Sequence, residues 1–150
     1  VSLFHASWDH HSNLDAELKH NCGMADQPVA ALLKDLKQRG LLDSTLIVWA
    51  GEFGRTPLGE NRGGSTNVTG RDHHPFAFSI FAAGGGIRGG VVVGKTNERA
   101  ERPASDPVGP EDLFATMFSL MGIDPKAEVH MPDGRPAALV NNGKIIADLT

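Results

Sequence analysis

Four of the seven histidines stand in two copies of one triplet, Asp9-His10-His11 and Asp72-His73-His74. Asp9 and His11, two positions apart, offer one carboxylate oxygen and one imidazole nitrogen. That donor mixture suits zinc, manganese or iron better than thiolate-seeking metals. Asp72 and His73 offer the same pair far along the chain and could close a shared shell. An Asp-x-His in isolation is also what an ordinary loop hydrogen bond looks like. Either two unrelated surface loops or one metal site would account for the repetition.

Position favours one site. Glu52 in Gly51-Glu52-Phe53-Gly54-Arg55-Thr56-Pro57 leaves an apolar run where an unpaired carboxylate would be costly, which marks it as a third candidate ligand. Arg55 carries the planar fork that holds phosphate or sulfate in two-point fashion. The segments around Asp9, Glu52 and Asp72 all adjoin expected strands, and ligands of open α/β sheets bind where strand-end loops converge. His10 and His74 are expected beside the shell or on the surface. His5 reads as a core histidine, His20 and His130 as surface ones. Asp106, Glu111 and Asp112 read as loop and helix-start acids.

The elements that must position these groups are read from periodicity. Residues 1–7 form an apolar strand, and residues 26–39 a helix with Val29, Leu32, Leu33 and Leu36 on one stripe. Asp26 would cap that helix, with Pro28 in its first turn and Gly40 at its end. Residues 44–51 read as a strand buried on both faces, and strand, helix and strand make a βαβ crossover. A further buried strand spans 75–85, with 91–94 a short edge piece. A second helix starts at Pro110 and ends near Gly122. Asp133-Gly134 and Asn142-Gly143 are turn signals for a small hairpin. The expected class is α/β, a mostly parallel sheet flanked by helices.

At 150 residues the chain has room for one domain with a core, or for part of a larger one. A formal charge of −4 gives no footprint for nucleic acid, and no apolar run is long enough to span a bilayer. Cys22 is the only cysteine, so an internal disulfide is excluded. Residues 60–70 read as a flexible insertion. Val1 opens inside an apolar strand, without Met or signal peptide, so a processed or truncated product is expected. A sheet edge left unpaired by truncation would favour association.

Two nucleotide motifs match in letters only. Gly89 through Thr96 satisfies the phosphate-loop pattern, but its interior is Val91-Val92-Val93, stiff residues that prefer extended backbone, and no helical stripe follows. Gly84, Gly86 and Gly89 fit Gly-x-Gly-x-x-Gly, again with no helix behind them. Both read as glycine turns.

Taken together, "WDHH" (8–11), "LLKDLKQRGLLDSTLIVWAGEFGRTP" (32–57), "GRDHHPFAFSIFAAGGGIRGG" (70–90) and "HMPDGRP" (130–136) closely resemble the bacterial sulfatase-like proteins grouped as domain of unknown function 1501. The likeness covers nearly the whole chain. It implies the C-terminal part of an alkaline phosphatase/sulfatase-like fold, with residues 1–150 one domain or the C-terminal portion of a larger one. It implies a metal-dependent hydrolase of small phosphate or sulfate esters, exported to the periplasm or secreted. By that resemblance Asp9, His11, Glu52 and His73 hold a divalent metal, zinc or manganese, with calcium a further option. Arg55, Asp72 and His74 would line the substrate. The attacking nucleophile would lie outside residues 1–150, and Phe53 stands where a second metal histidine is expected. The rival reading is a non-catalytic ligand-binding module that keeps the fold.

Overall fold

A computed structural model describes residues 1–60 and 67–150. Among these residues the regular structure is two helices and eight short strands, paired antiparallel two by two in four separate sheets. The expected parallel sheet is not formed. Residues 1–7 adopt no strand, and Val1, Leu3 and Phe4 are exposed. Without that first strand there is no βαβ crossover. The short apolar run at 44–51 narrows to β1 (Ile47–Trp49), which pairs antiparallel with β4 (Phe81–Ala83) rather than beside a parallel neighbour. The two β-pairs nearest the site therefore run antiparallel, and the class is small helices with hairpin-like pairs.

Helix α1 (Leu14–Gln38) begins well before the expected start at Asp26, and Pro28 lies inside it. Leu, Ala, Glu and Lys are good helix formers and carry the helix through its first turns. Asp15 and Glu17 sit where the dipole favours acids, and Asp15 and Asp35 each pair with a base four residues on, Lys19 and Arg39. The early start has a structural consequence. It places Asn21, 1% exposed, against the N-terminal segment, where its amide donates to the Ser7 carbonyl and to His10 Nε2 (3.2 Å). His10 is thus buried beside the site rather than on the surface.

The hairpin of β2 (Gly54–Glu60) and β3 (Gly70–His74) is the scaffold of the site. "GRTP" (54–57) opens its first strand. Arg55 stands opposite His73, and Glu60 opposite Gly70, with the register shifting between Arg55 and Gly59. Thr56 Oγ1 fills the irregularity, accepting from the Asp72 backbone (3.1 Å) and donating to the Leu58 carbonyl (2.8 Å). The expected insertion at 60–70 is bounded by Glu60 at the end of β2 and Gly70 at the start of β3; its interior, 61–66, lies outside the described residues.

The remaining strands pair in separate sheets. Trp49 stacks on Phe81 across the β1–β4 pair (6.1 Å) and meets Trp8 edge-on (6.4 Å), next to Asp9. The 91–94 piece is not a strand; β5 (Lys95–Thr96) follows it and pairs with β6 (Pro103–Ser105). Lys95 and Thr96 therefore lie in a strand with no helix after them, and no phosphate loop is built. Helix α2 (Pro110–Leu120) has Pro110 at its first turn, and Gly122 follows it in the left-handed region (φ 76°). Asp112 accepts from the Gly109 N–H (3.0 Å), one half of a capping box that a glycine cannot complete. Its other oxygen accepts from Lys144 N–H (2.8 Å), docking the tail on α2. The hairpin β7 (Glu128–His130) and β8 (Pro136–Ala138) turns at Asp133-Gly134 as expected, whereas Asn142-Gly143 makes a bend without strands.

The core is thin. Ala115 on α2 is the one hydrophobic residue buried outright among the described residues. The accessible surface is 10,944 Å², against about 7,400 Å² for a compact monomer of this mass. Among the described residues no helix is long and apolar enough to cross a membrane.

Candidate metal centre

The two Asp-His-His triplets meet, by a route other than two strand-end loops at one sheet edge. Residues 9–13 lie along β3. Arg71 N–H donates to the His10 carbonyl (3.0 Å), Leu14 N–H to the Thr69 carbonyl (2.8 Å), and Asn13 N–H to Thr69 Oγ1 (3.1 Å). Gly70 allows this approach, because a Cβ there would run into the backbone of His11 and Ser12.

Three donor atoms converge as a result. Asp9 Oδ1 lies 2.8 Å from His11 Nε2 and 2.8 Å from His73 Nε2, and the two imidazole nitrogens are 3.1 Å apart. Metal–ligand distances of about 2.0–2.1 Å would allow all three donor atoms to hold one ion. The site is not deep. The His11 side chain is 13% exposed, those of His73 and Asp9 44% and 59%.

Asp9 is the electrostatic centre. Arg55 donates to the same Oδ1 (2.5 Å), and this hydrogen bond, then that of His73, holds the carboxyl well below the usual carboxylate range. Asp9 is therefore ionised throughout the neutral range. The guanidinium also sits 5.6 Å from the centre of the Phe53 ring, which packs on His73 (4.4 Å between centres). Phe53, where the resemblance expects a histidine, packs against the His73 ring instead.

The other expected residues fall as follows. Glu52 is exposed and stands outside the convergent groups found among the described residues. Asp72 accepts from the His73 N–H (2.7 Å) and lies 3.9 Å from His11 Nδ1, at the edge of the centre. His74 turns away, donating from Nε2 to the Glu101 carbonyl (2.7 Å). His5 is not in the core; it is exposed, and its Nδ1 accepts from the Trp8 indole (3.0 Å). Sequence reasoning passed over Glu60, whose Oε2 is 2.5 Å from His11 Nδ1. With Asp72 it forms a second convergent group around His11. Its only signal was the strand register that brings Glu60 opposite Gly70, and that register shows only once β2 and β3 are paired.

Two imidazoles and a carboxylate gathered at one hairpin, with an arginine beside them, are what these distances define. The family described as "Protein of unknown function (DUF1501)" matches residues 1–150, and the chain belongs to that family. No curated protein and no solved structure matches it.

Proposed function

We propose that Asp9, His11 and His73 bind one divalent metal, and that the centre serves hydrolysis of small phosphate or sulfate esters. The observation that carries the metal is the Asp9–His11–His73 triangle. It brings three good donor atoms to one point, where a cation would take the place of a proton now shared between His73 and Asp9. Zinc and manganese match two imidazoles and a carboxylate. A bound ion would polarise an ester oxygen. Of the chain's own residues, Asp9, His11 and His73 hold the ion, Phe53 keeps the His73 ring in place, and Arg55 supplies a fixed cation for a phosphoryl or sulfuryl oxygen. The attacking group is not among these residues. Of the four ligands the sequence suggested, Glu52 is left out of this assignment because it stands apart from the triangle.

The test is zinc and manganese content after equilibration and gel filtration, on the wild type and on D9N, H11A and H73A. Near one equivalent in the wild type, lost in all three variants, supports the metal. Its absence in the wild type sinks the reading. Turnover of p-nitrophenyl phosphate or sulfate then separates a hydrolase from a ligand-binding module, which would hold metal without turnover.

A further inference from the structure

We propose that Glu60 is a positioning residue for the proposed metal centre, accepting a hydrogen bond from the Nδ1–H of His11 and so committing the unprotonated His11 Nε2 to the cation. The inference rests on the proposed metal site and deepens it. A neutral imidazole has one N–H and one lone pair, and the partner of one nitrogen decides which is which. Here the two nitrogens face different carboxylates. Nδ1 meets Glu60 Oε2 at 2.5 Å, while Nε2 meets Asp9 Oδ1 at 2.8 Å and His73 Nε2 at 3.1 Å.

The environments differ as well. The Glu60 side chain is 14% exposed against 59% for Asp9. The contact on Nδ1 is therefore the shorter and the better shielded from water. Asp9 is already engaged by the Arg55 guanidinium, which weakens its claim on an imidazole proton. Asp72 cannot substitute, being 3.9 Å from Nδ1 and engaged by the His73 N–H. Both partners are held by the same backbone arrangement, since Glu60 faces Gly70 across the hairpin and Gly70 abuts the His11 backbone. A carboxylate on the far nitrogen of a ligating histidine fixes ring orientation and raises ligand basicity, and its loss costs about 10–100-fold in metal affinity.

The experiment reads two quantities on the wild type, E60Q and E60L. One is the His11 tautomer in metal-free protein at pH 9, from long-range ¹H–¹⁵N correlations. The other is zinc affinity and stoichiometry by competition with a chromophoric chelator. The expected wild-type ring carries its proton on Nδ1. E60Q, which keeps an acceptor, retains that tautomer with affinity lowered less than 10-fold. E60L loses the tautomer preference and about 10–100-fold in affinity, still binding one equivalent. An Nε2–H tautomer in the wild type, or unchanged tautomer and affinity in E60L, overturns the assignment. So does a fall from two equivalents to one in E60L, because Glu60 would then ligate a second ion. If the wild type binds no zinc, the metal reading fails, and the tautomer still decides whether Glu60 orients His11. If E60L does not fold, E60Q decides: a switch to Nε2–H in that variant counts against the proposal.

Discussion

Replacing Gly70 with alanine should dismantle the proposed metal centre without altering any of its proposed ligands. The added methyl would lie 2.5 Å from the Ser12 nitrogen and closer still to the His11 carbonyl, where ordinary contact begins near 3.4 Å. The obstacles are backbone, so residues 9–13 must retreat from β3 by about 1 Å or more. Two effects follow. Overpacking of this kind costs about 1–3 kcal/mol, and the Arg71–His10 and Leu14–Thr69 backbone bonds stretch with it. The donor triangle, with edges of 2.8–3.1 Å, cannot absorb such a shift, because His11 and Asp9 ride on the moving segment while His73 stays on β3. Zinc affinity should fall by at least the ~10–100-fold that misoriented ligands lose. Urea unfolding gives the first quantity and chelator competition the second, with far-ultraviolet dichroism confirming that α1 and α2 persist. A Gly70→Ala chain with unchanged urea midpoint and unchanged zinc affinity would refute the placement of residues 9–13 on β3.

Three further outcomes are expected. Gly23→Ala is the matched control: its methyl meets nothing within 4 Å on α1, so stability should rise by about 0.5–1 kcal/mol in the same urea titration with zinc binding unaltered. Arg55→Ala removes the cation competing for Asp9 Oδ1, so zinc should bind up to about 5-fold more tightly, while inorganic phosphate or sulfate binds more weakly to the zinc-loaded chain; isothermal titration checks both signs, and weaker zinc binding would count against Asp9 as ligand. Asp112→Ala removes the cap of α2 and the tether of the tail together, a loss of about 1–2 kcal/mol in chemical unfolding. The Gly109 and Lys144 N–H groups lower the Asp112 pKa in the folded chain. Its contribution is therefore present above the ordinary aspartate value of about 4 and is lost as pH falls through the depressed folded value. The variant's stability should be flatter over that acid window.

The convergent donor atoms were more legible in the sequence than the architecture. Side-chain type is written directly in the chain, so the Asp-His-His triplets marked donor atoms for one site, and Asp9, His11 and His73 do converge. Local signals were also readable: Pro110 and Gly122 bounding α2, and Asp133-Gly134 turning a hairpin, because caps and turns depend on a few neighbouring residues. Pro28 misled in the same local terms. It suits a helix start, and the reading stopped there, although the helix formers before it carry α1 back to Leu14.

Strand pairing is a different kind of information. Apolar runs at 1–7, 44–51 and 75–85 show that a segment can be extended, not which backbone will satisfy it. Pairing Trp49 with Phe81 made an antiparallel ladder, and residues 1–7 joined no strand pair among the described residues. The same gap hid Glu60, which lies forty-nine residues from His11 and reaches it only through the β2–β3 register and the close approach at Gly70. Residue identity alone determined which atoms could bind a cation. Tertiary structure decided which of them share a point in space, leaving Glu52 outside and bringing Glu60 in, because that choice depends on backbone hydrogen bonds between distant segments.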